Sequence, residues 1–107
     1  MPHDVATDDR APRDDAARTA LREEVAALAV AKAALNRNAP RDAIQAVLGY
    51  RARFPRGHLM PEAAVIEMEA QLALGNRSRA VELGRELEKT PTPGGERARE
   101  LLREATR

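Results

Sequence analysis

Cysteine is absent from the 107 residues, and so is tryptophan. Disulfides, thiolate catalysis and cysteine-based zinc sites are thereby excluded, and thiol content says nothing about the redox compartment. Aromatic residues are almost absent too: one Tyr and one Phe, 2% of the chain. That is too few for the stacking platforms that hold single-stranded nucleic acid. A surplus of one charge is also lacking, with 18 basic and 17 acidic residues and a net charge of +1. Such a balance argues against a general polyanion binder. No apolar run approaches the roughly 20 residues of a membrane span, and the start has no hydrophobic targeting core. The chain as given therefore reads as soluble and cytoplasmic. If it is a fragment, it reads as the soluble part of an envelope-anchored protein.

What is present is helical texture. The length suits one small domain. The 16 arginines against two lysines, with abundant alanine, read as codon bias in a GC-rich genome. Arginine frequency is then weak evidence of function. Residues 1–15 hold two prolines, five aspartates and one sizeable apolar residue, Val5. They cannot bury enough surface to offset their ordering entropy and are expected to be a disordered acidic tail. The paired aspartates at 8–9 and 14–15 lack the spacing, glycine and distal glutamate of a calcium loop.

Residues 16–107 are expected to form one domain of about five helices. The first runs from Asp15 to Leu35, with Leu21, Val25, Leu28 and Leu35 on one stripe. "NRNAPRD" breaks it: Asn36 or Asn38 suits a left-handed C-terminal position and Pro40 a first turn. The second runs from Pro40 to Arg53 and stops before Pro55. The third, Pro61 to Leu74, carries two apolar stripes: Val65, Met68 and Leu72, then Ala63, Ile66, Ala70, Ala73 and Leu74. Glu62 and Glu69 separate them on one edge, Glu67 and Gln71 on the other. A helix with two stripes must pack on two sides. Gly75 ends it. The fourth spans Ser78 to Lys89, before the breaker "TPTPGG", and the fifth Glu96 to Thr106. The fifth has one narrow stripe, Ala98, Leu101, Leu102 and Ala105, which suits a terminal capping helix. No segment alternates as a strand would, so the fold class is all-α.

Two stretches match at an offset of 37 residues. "AALNRNAPRDAIQAV" (33–47) lies over "AQLALGNRSRAVELG" (70–84), setting Asn38 on Gly75, Ala43 on Ala80 and Val47 on Gly84. Ala43 and Ala80 are expected where the two helices of a hairpin cross closely. Gly84 costs about 1 kcal/mol relative to Ala inside a helix, so close helix approach is expected there. The pattern resembles a tetratricopeptide-type hairpin repeat, whose usual period is about 34. "Y-R-x-R-F-P-R-G-x-L-x-x-E-A" followed by "I-E-x-E-A-x-L-A-L-G" is similar to the tetratricopeptide-like domains of bacterial outer-membrane assembly lipoproteins and cell-division coordinators. It is more similar still to a C-terminal repeat domain of myxobacterial proteins found near sigma and anti-sigma regulators. The resemblance covers about residues 21–104. It implies a short right-handed solenoid of helical hairpins.

No catalytic constellation emerges. His3 lies in the tail and His58 has no second ligand at helical spacing, whereas a metal site needs three or four. Ser78, the sole serine, suits a helix N-cap. No enzyme, cofactor or metal is expected. Residues 36–60 do hold Arg37, Arg41, Arg51, Arg53 and Arg56 against Asp42 alone, a net of +4. This basic edge reads as solvated arginines at a helix C-terminus, or as a contact for an acidic partner segment. Tyr50 and Phe54, four apart, are expected to plug the joint between hairpins, with Arg51 and Arg53 pushed to solvent.

Two functions are open at this stage. One is a protein–protein interaction module, an adaptor or scaffold that takes a partner peptide or helix. Its groove would be built from Arg22, Lys32 and Asn36 of the first helix and one edge of the third, Glu67 and Gln71 or Glu62 and Glu69. Arg51, Arg53 and Arg56 would rim it. Self-association through the first helix belongs to this reading, because Val30 and several alanines lie outside its core stripe. The alternative is a regulatory component of a transcription or nucleic-acid complex using the basic edge at 37–56. Against it stands the lack of a recognition helix with base-reading residues.

Overall fold

The computed structural model describes residues 11–89 and 95–107. The described residues are all-helical, in five elements: α1 (Ala11–Asn36), α2 (Pro40–Arg53), α3 (Met60–Ala73), α4 (Arg77–Glu88) and α5 (Gly95–Ala105). The expected tail falls mostly outside them. Its last part does not behave as expected, because helix α1 already includes Ala11 to Asp15. Prolines are tolerated in the first helical turn, and Pro12 sits there.

Each expected breaker ends its helix by a specific geometry. Asn38 is the one non-glycine with positive φ among the described residues, at 62°, and Gly75 has φ 81°. At the first turn Ala39 N–H donates to the Ala34 carbonyl at 2.8 Å and Asn38 N–H to that of Leu35 at 3.0 Å. At the second, Asn76 N–H donates to Gln71 at 2.8 Å and Gly75 N–H to Leu72 at 3.0 Å. Both are Schellman closures around a left-handed residue. The offset of 37 residues thus persists in three dimensions: α1 and α3 end at 36 and 73, α2 and α4 begin at 40 and 77. Ser78 is not the cap. It lies inside α4, and Asn76 holds the N-cap position.

Contacts run between chain neighbours and also join α1 to α3 and α3 to α5. Helix α3 therefore touches all four others, as its two stripes require. Ala63, Ile66 and Ala70 join a core with Leu28, Ala31, Ala43, Val47 and Tyr50. Met68, Val65 and Leu72 join a second core with Leu83, Ala98 and Leu101. Ala43 and Ala80 are both fully buried, as the close hairpin crossing demands. Gly84 is buried as well, and an added Cβ would lie 2.9 Å from Met68 Cε and 3.1 Å from Leu102 Cδ1. Glycine stands where α4 closes on α3 and α5.

The stripe expected on α1 is buried only in its C-terminal half: Leu28 lies in the core and Leu35 packs against it, but Leu21 is 41% exposed and Val25 53%. Glu24, Ala31 and Ala34 share the core side. Leu21 precedes Glu23, which pairs with Arg53 at the end of α2, so it lies where α1 runs past that helix.

Candidate functional site

Three arrangements of polar groups stand out. The first is a buried knot where the loop between α2 and α3 meets α1. Tyr50 donates its hydroxyl to Glu24 Oε1 at 2.6 Å. Leu59 N–H donates both to Glu24 Oε1 at 3.2 Å and to the Tyr50 oxygen at 3.0 Å. Glu24 is 3% exposed and Tyr50 1%. The Tyr50 hydrogen bond holds the Glu24 carboxyl below its ordinary range, against the opposing effect of burial, and the N–H groups of Leu59 and His58 assist. Burial first, and the Glu24 partner second, push Tyr50 up to about 12.

Gly57 completes the knot. A Cβ there would collide with the Tyr50 hydroxyl and lie 2.6 Å from Glu24 Oε1. Gly57→Ala should therefore cost about 1–3 kcal/mol as an overpacked site, measured by urea unfolding. Gly49 has open space around it, so Gly49→Ala serves as a control that should not destabilise.

Tyr50 is the only tyrosine and there is no tryptophan, so absorbance near 295 nm follows this one hydroxyl. Its ionisation should be centred near 12 in the folded chain and near 10 in denaturant. The folded state keeps a proton that the unfolded state releases between these values. Stability is then complete below about pH 10 and falls as pH rises toward 12. A folded-state midpoint near 10 would contradict the knot.

The second arrangement centres on Glu67, 3% exposed. Arg51 of α2 donates to Oε1 at 2.5 Å, and Arg79 Nε of α4 donates to Oε2 at 3.3 Å. Gln71 Nε2 reaches Oε2 at 3.5 Å, and Asn76 Nδ2 donates to Gln71 Oε1 at 2.8 Å. Burial pushes the Glu67 carboxyl up, but its bonds to Arg51, Arg79 and Gln71 outweigh that and leave it lowered. This ion set, buried at Glu67 and open to solvent at Arg79, ties α2, α3 and α4 together.

The third is a groove of about 310 Å³ between α1 and α3, lined by Lys32, Leu35, Asn36, Glu62, Val65, Ile66 and Glu69. Its floor is apolar and its two walls carry opposite charge. Glu62 Oε2 is buried and has no hydrogen-bond partner. Glu69 accepts from Arg97 of α5 at 2.9 Å. A furrow between α3 and α5 shares Glu69 with it.

The expected partner-binding residues are thus divided. Lys32 and Asn36 line the groove, and the polar edge of α3 that joins them is Glu62 and Glu69. Glu67 and Gln71 lie buried on the other side, so they do not offer themselves to a partner. Arg51 is not pushed to solvent: its side chain is 24% exposed and neutralised by Glu67. Arg53 is exposed, with Glu23 at 3.3 Å and its guanidinium 5.0 Å from the Phe54 ring centre. Exposed pairs of this kind contribute little stability. Arg37 pairs with Asp42 at 3.1 Å. Arg56 is exposed, and Arg22 lies in a shallow apolar depression with Arg18, Leu21, Val25 and Ala26. Tyr50 and Phe54 do sit side by side at the joint, ring centres 5.4 Å apart.

Sequence reasoning missed Glu24 and left Glu62 and Glu69 as one of two possible edges of α3. The signal for Glu24 was present: it stands four and seven residues before Leu28 and Ala31, on the buried stripe. Among the described residues no group of three or more His, Asp or Glu is placed to hold a metal ion. No helix among them is long and apolar enough to cross a membrane. Comparison with protein-family models, characterised proteins and solved structures finds no match.

Proposed function

We propose that the chain is a non-enzymatic protein–protein interaction module, a short solenoid of tetratricopeptide-like hairpins whose α1–α3 groove takes a helix or peptide. The observation that carries this reading is the groove itself. Leu35, Val65 and Ile66 give it an apolar floor, while Lys32 and Glu62 stand on opposite walls. Apolar floors with a few placed polar groups are what peptide grooves use for affinity and register. The contacts of α1 with α3 and of α3 with α5 support the stacked arrangement. The basic edge gives a nucleic-acid reading less support, because Arg37, Arg51 and Arg53 each face a carboxylate of the same chain.

The test is a selection of displayed random peptides on the immobilised chain. Enriched peptides should lose binding to Val65→Arg, which blocks the groove, and keep it with Leu48→Arg, on an exposed site of α2. Circular dichroism confirms that both variants are folded. Peptides indifferent to Val65→Arg, or none enriched, would sink the reading.

A further inference from the structure

We infer that the occupant of the α1–α3 groove is the N-terminal arm of α1 from a second copy of this chain, in a two-fold dimer. The inference rests on the groove reading above and names its partner. It is motivated by two unpartnered surfaces that complement each other.

The first surface is the arm. Arg53 ends α2 and pairs with Glu23, so α1 before Glu23 runs past the end of α2. The twelve residues from Ala11 to Arg22 amount to about 18 Å of helix. Every residue from Asp15 to Glu23 is exposed. An isolated helix that short is marginal in water, yet this one carries Leu21 uncovered, with Val25 exposed just beyond it. Arg18 and Arg22 flank them in the same depression. The patch is apolar with Arg22 beside it, while Arg18 already faces Asp15 at 3.9 Å.

The second surface is the groove, apolar with Glu62 and Glu69 on its α3 wall and Lys32 on its α1 wall. Glu69 already has Arg97, but Glu62 has a buried oxygen with no partner. A buried carboxylate oxygen without a partner is costly. The Glu62 carboxylate lines the groove, so a guanidinium entering the groove meets an opposite charge there. Arginine and leucine on the arm therefore match glutamate and valine in the groove, charge against charge and apolar against apolar.

Geometry supplies the symmetry. At 100° per residue, Leu21, Val25, Lys32 and Asn36 fall within about 60° of one another around α1. The arm's patch and the groove thus open on the same side of one helix, about 20 Å apart along its axis. Two α1 helices laid antiparallel about a central two-fold place each patch on the other copy's groove. The contact is isologous and closes, with two identical junctions. Seating residues 21–25 over 32–36 overlaps the two helices from about residue 21 to Asn36, about 24 Å of α1. A strip of that length and one helix wide, about 10 Å, is roughly 240 Å² per partner, about a third of a standard interface. The dimer is accordingly weak, with dissociation in the micromolar range.

Sedimentation of the full chain from about 1 μM to about 1 mM tests this. The mass should rise from monomer to dimer, and the transition should weaken with added salt. Glu62→Lys and Arg22→Glu should each raise the dissociation constant at least about tenfold by setting like charges together. An equimolar mixture of the two variants should restore dimerisation. In that heterodimer Arg22 meets Glu62 at one junction and the two replacements meet at the other. A second measurement does not depend on charge. The chain lacks cysteine, so Leu21→Cys and Val65→Cys made in separate copies and mixed under mild oxidation should yield a covalent heterodimer. A chain still monomeric at 1 mM overturns the inference, and so does a dimer indifferent to Glu62→Lys or the absence of the cross-link. The peptide selection reads the groove independently, so peptides displaced by Val65→Arg would keep the groove while discarding the second copy.

Discussion

Replacing Met68 by alanine should lower the unfolding free energy by about 2–5 kcal/mol, the range for truncating a fully buried large side chain. Met68 has 0% exposure and is the largest buried residue of the second core, where α3, α4 and α5 meet. Its neighbours there are Leu83, Ala98 and Leu101, and Gly84 closes against its terminal methyl. Truncation leaves a cavity that three helices would have to shift to fill. For a domain of this size each kcal/mol moves the melting temperature by about 4–8 °C, so the loss exceeds 10 °C in most of the range. The double variant sharpens the test. In the native background Gly84→Ala gains up to about 1 kcal/mol of helix propensity but sets a methyl 2.9 Å from Met68 Cε, and should give little or no net stabilisation. In the Met68→Ala background the same methyl enters vacated space and should recover about 1 kcal/mol. If the two changes simply add, the close approach of α4 to α3 is not what glycine is for.

The helices were legible because their signals are local. Pro40, Gly75 and the residues around Pro55 punctuate the chain, and apolar residues recur at helical spacing between them. The two stripes of α3 placed it against both cores, and the offset of 37 residues foretold both Schellman turns. Long-range pairing was not legible. Tyr50 and Glu24 are 26 residues apart, and Arg51 and Glu67 are 16. No periodicity links such pairs, so a glutamate on a helix reads as solvated until its partner is placed beside it.

The error on α1 has a different cause. Leu21, Val25 and Leu28 share a face at helical spacing, and size alone favours them as core. Leu28 does reach the core, with Leu35, Ala31 and Ala34. Leu21 precedes Glu23, which pairs with the end of α2, so it lies where α1 has outrun its neighbour. Helical spacing sets which residues share a face but not how far the neighbouring helix extends along it. Leu21 and Val25 become the exposed patch that Arg18 and Arg22 flank.

Truncating Glu24 to alanine should cost about 2–4 kcal/mol, although glutamate to alanine on a helix surface is ordinarily within about 0.5 kcal/mol of neutral. The carboxylate accepts from the Tyr50 hydroxyl and from the Leu59 N–H; its removal leaves the buried hydroxyl without an acceptor and the Leu59 N–H with the Tyr50 oxygen alone. Tyr50→Phe removes one donor and leaves Glu24 its backbone N–H partners, so it should cost less, about 1–2 kcal/mol. The pair should be non-additive by about 1 kcal/mol or more in a double-mutant cycle, because the two groups share one hydrogen bond. Acid supplies an independent readout. The folded Glu24 carboxyl titrates below its ordinary range, so its contribution is present above about pH 4.3 and is lost as pH falls through the folded value. Glu67, also lowered, adds to the same limb. Stability of the native chain should therefore drop from about pH 5 downward, and Glu24→Ala should flatten part of that slope while Glu67 keeps the rest. An acid limb unchanged by Glu24→Ala would mean that the carboxylate gains nothing from the folded state, and that Gly57 and Tyr50 hold the α2–α3 loop without it.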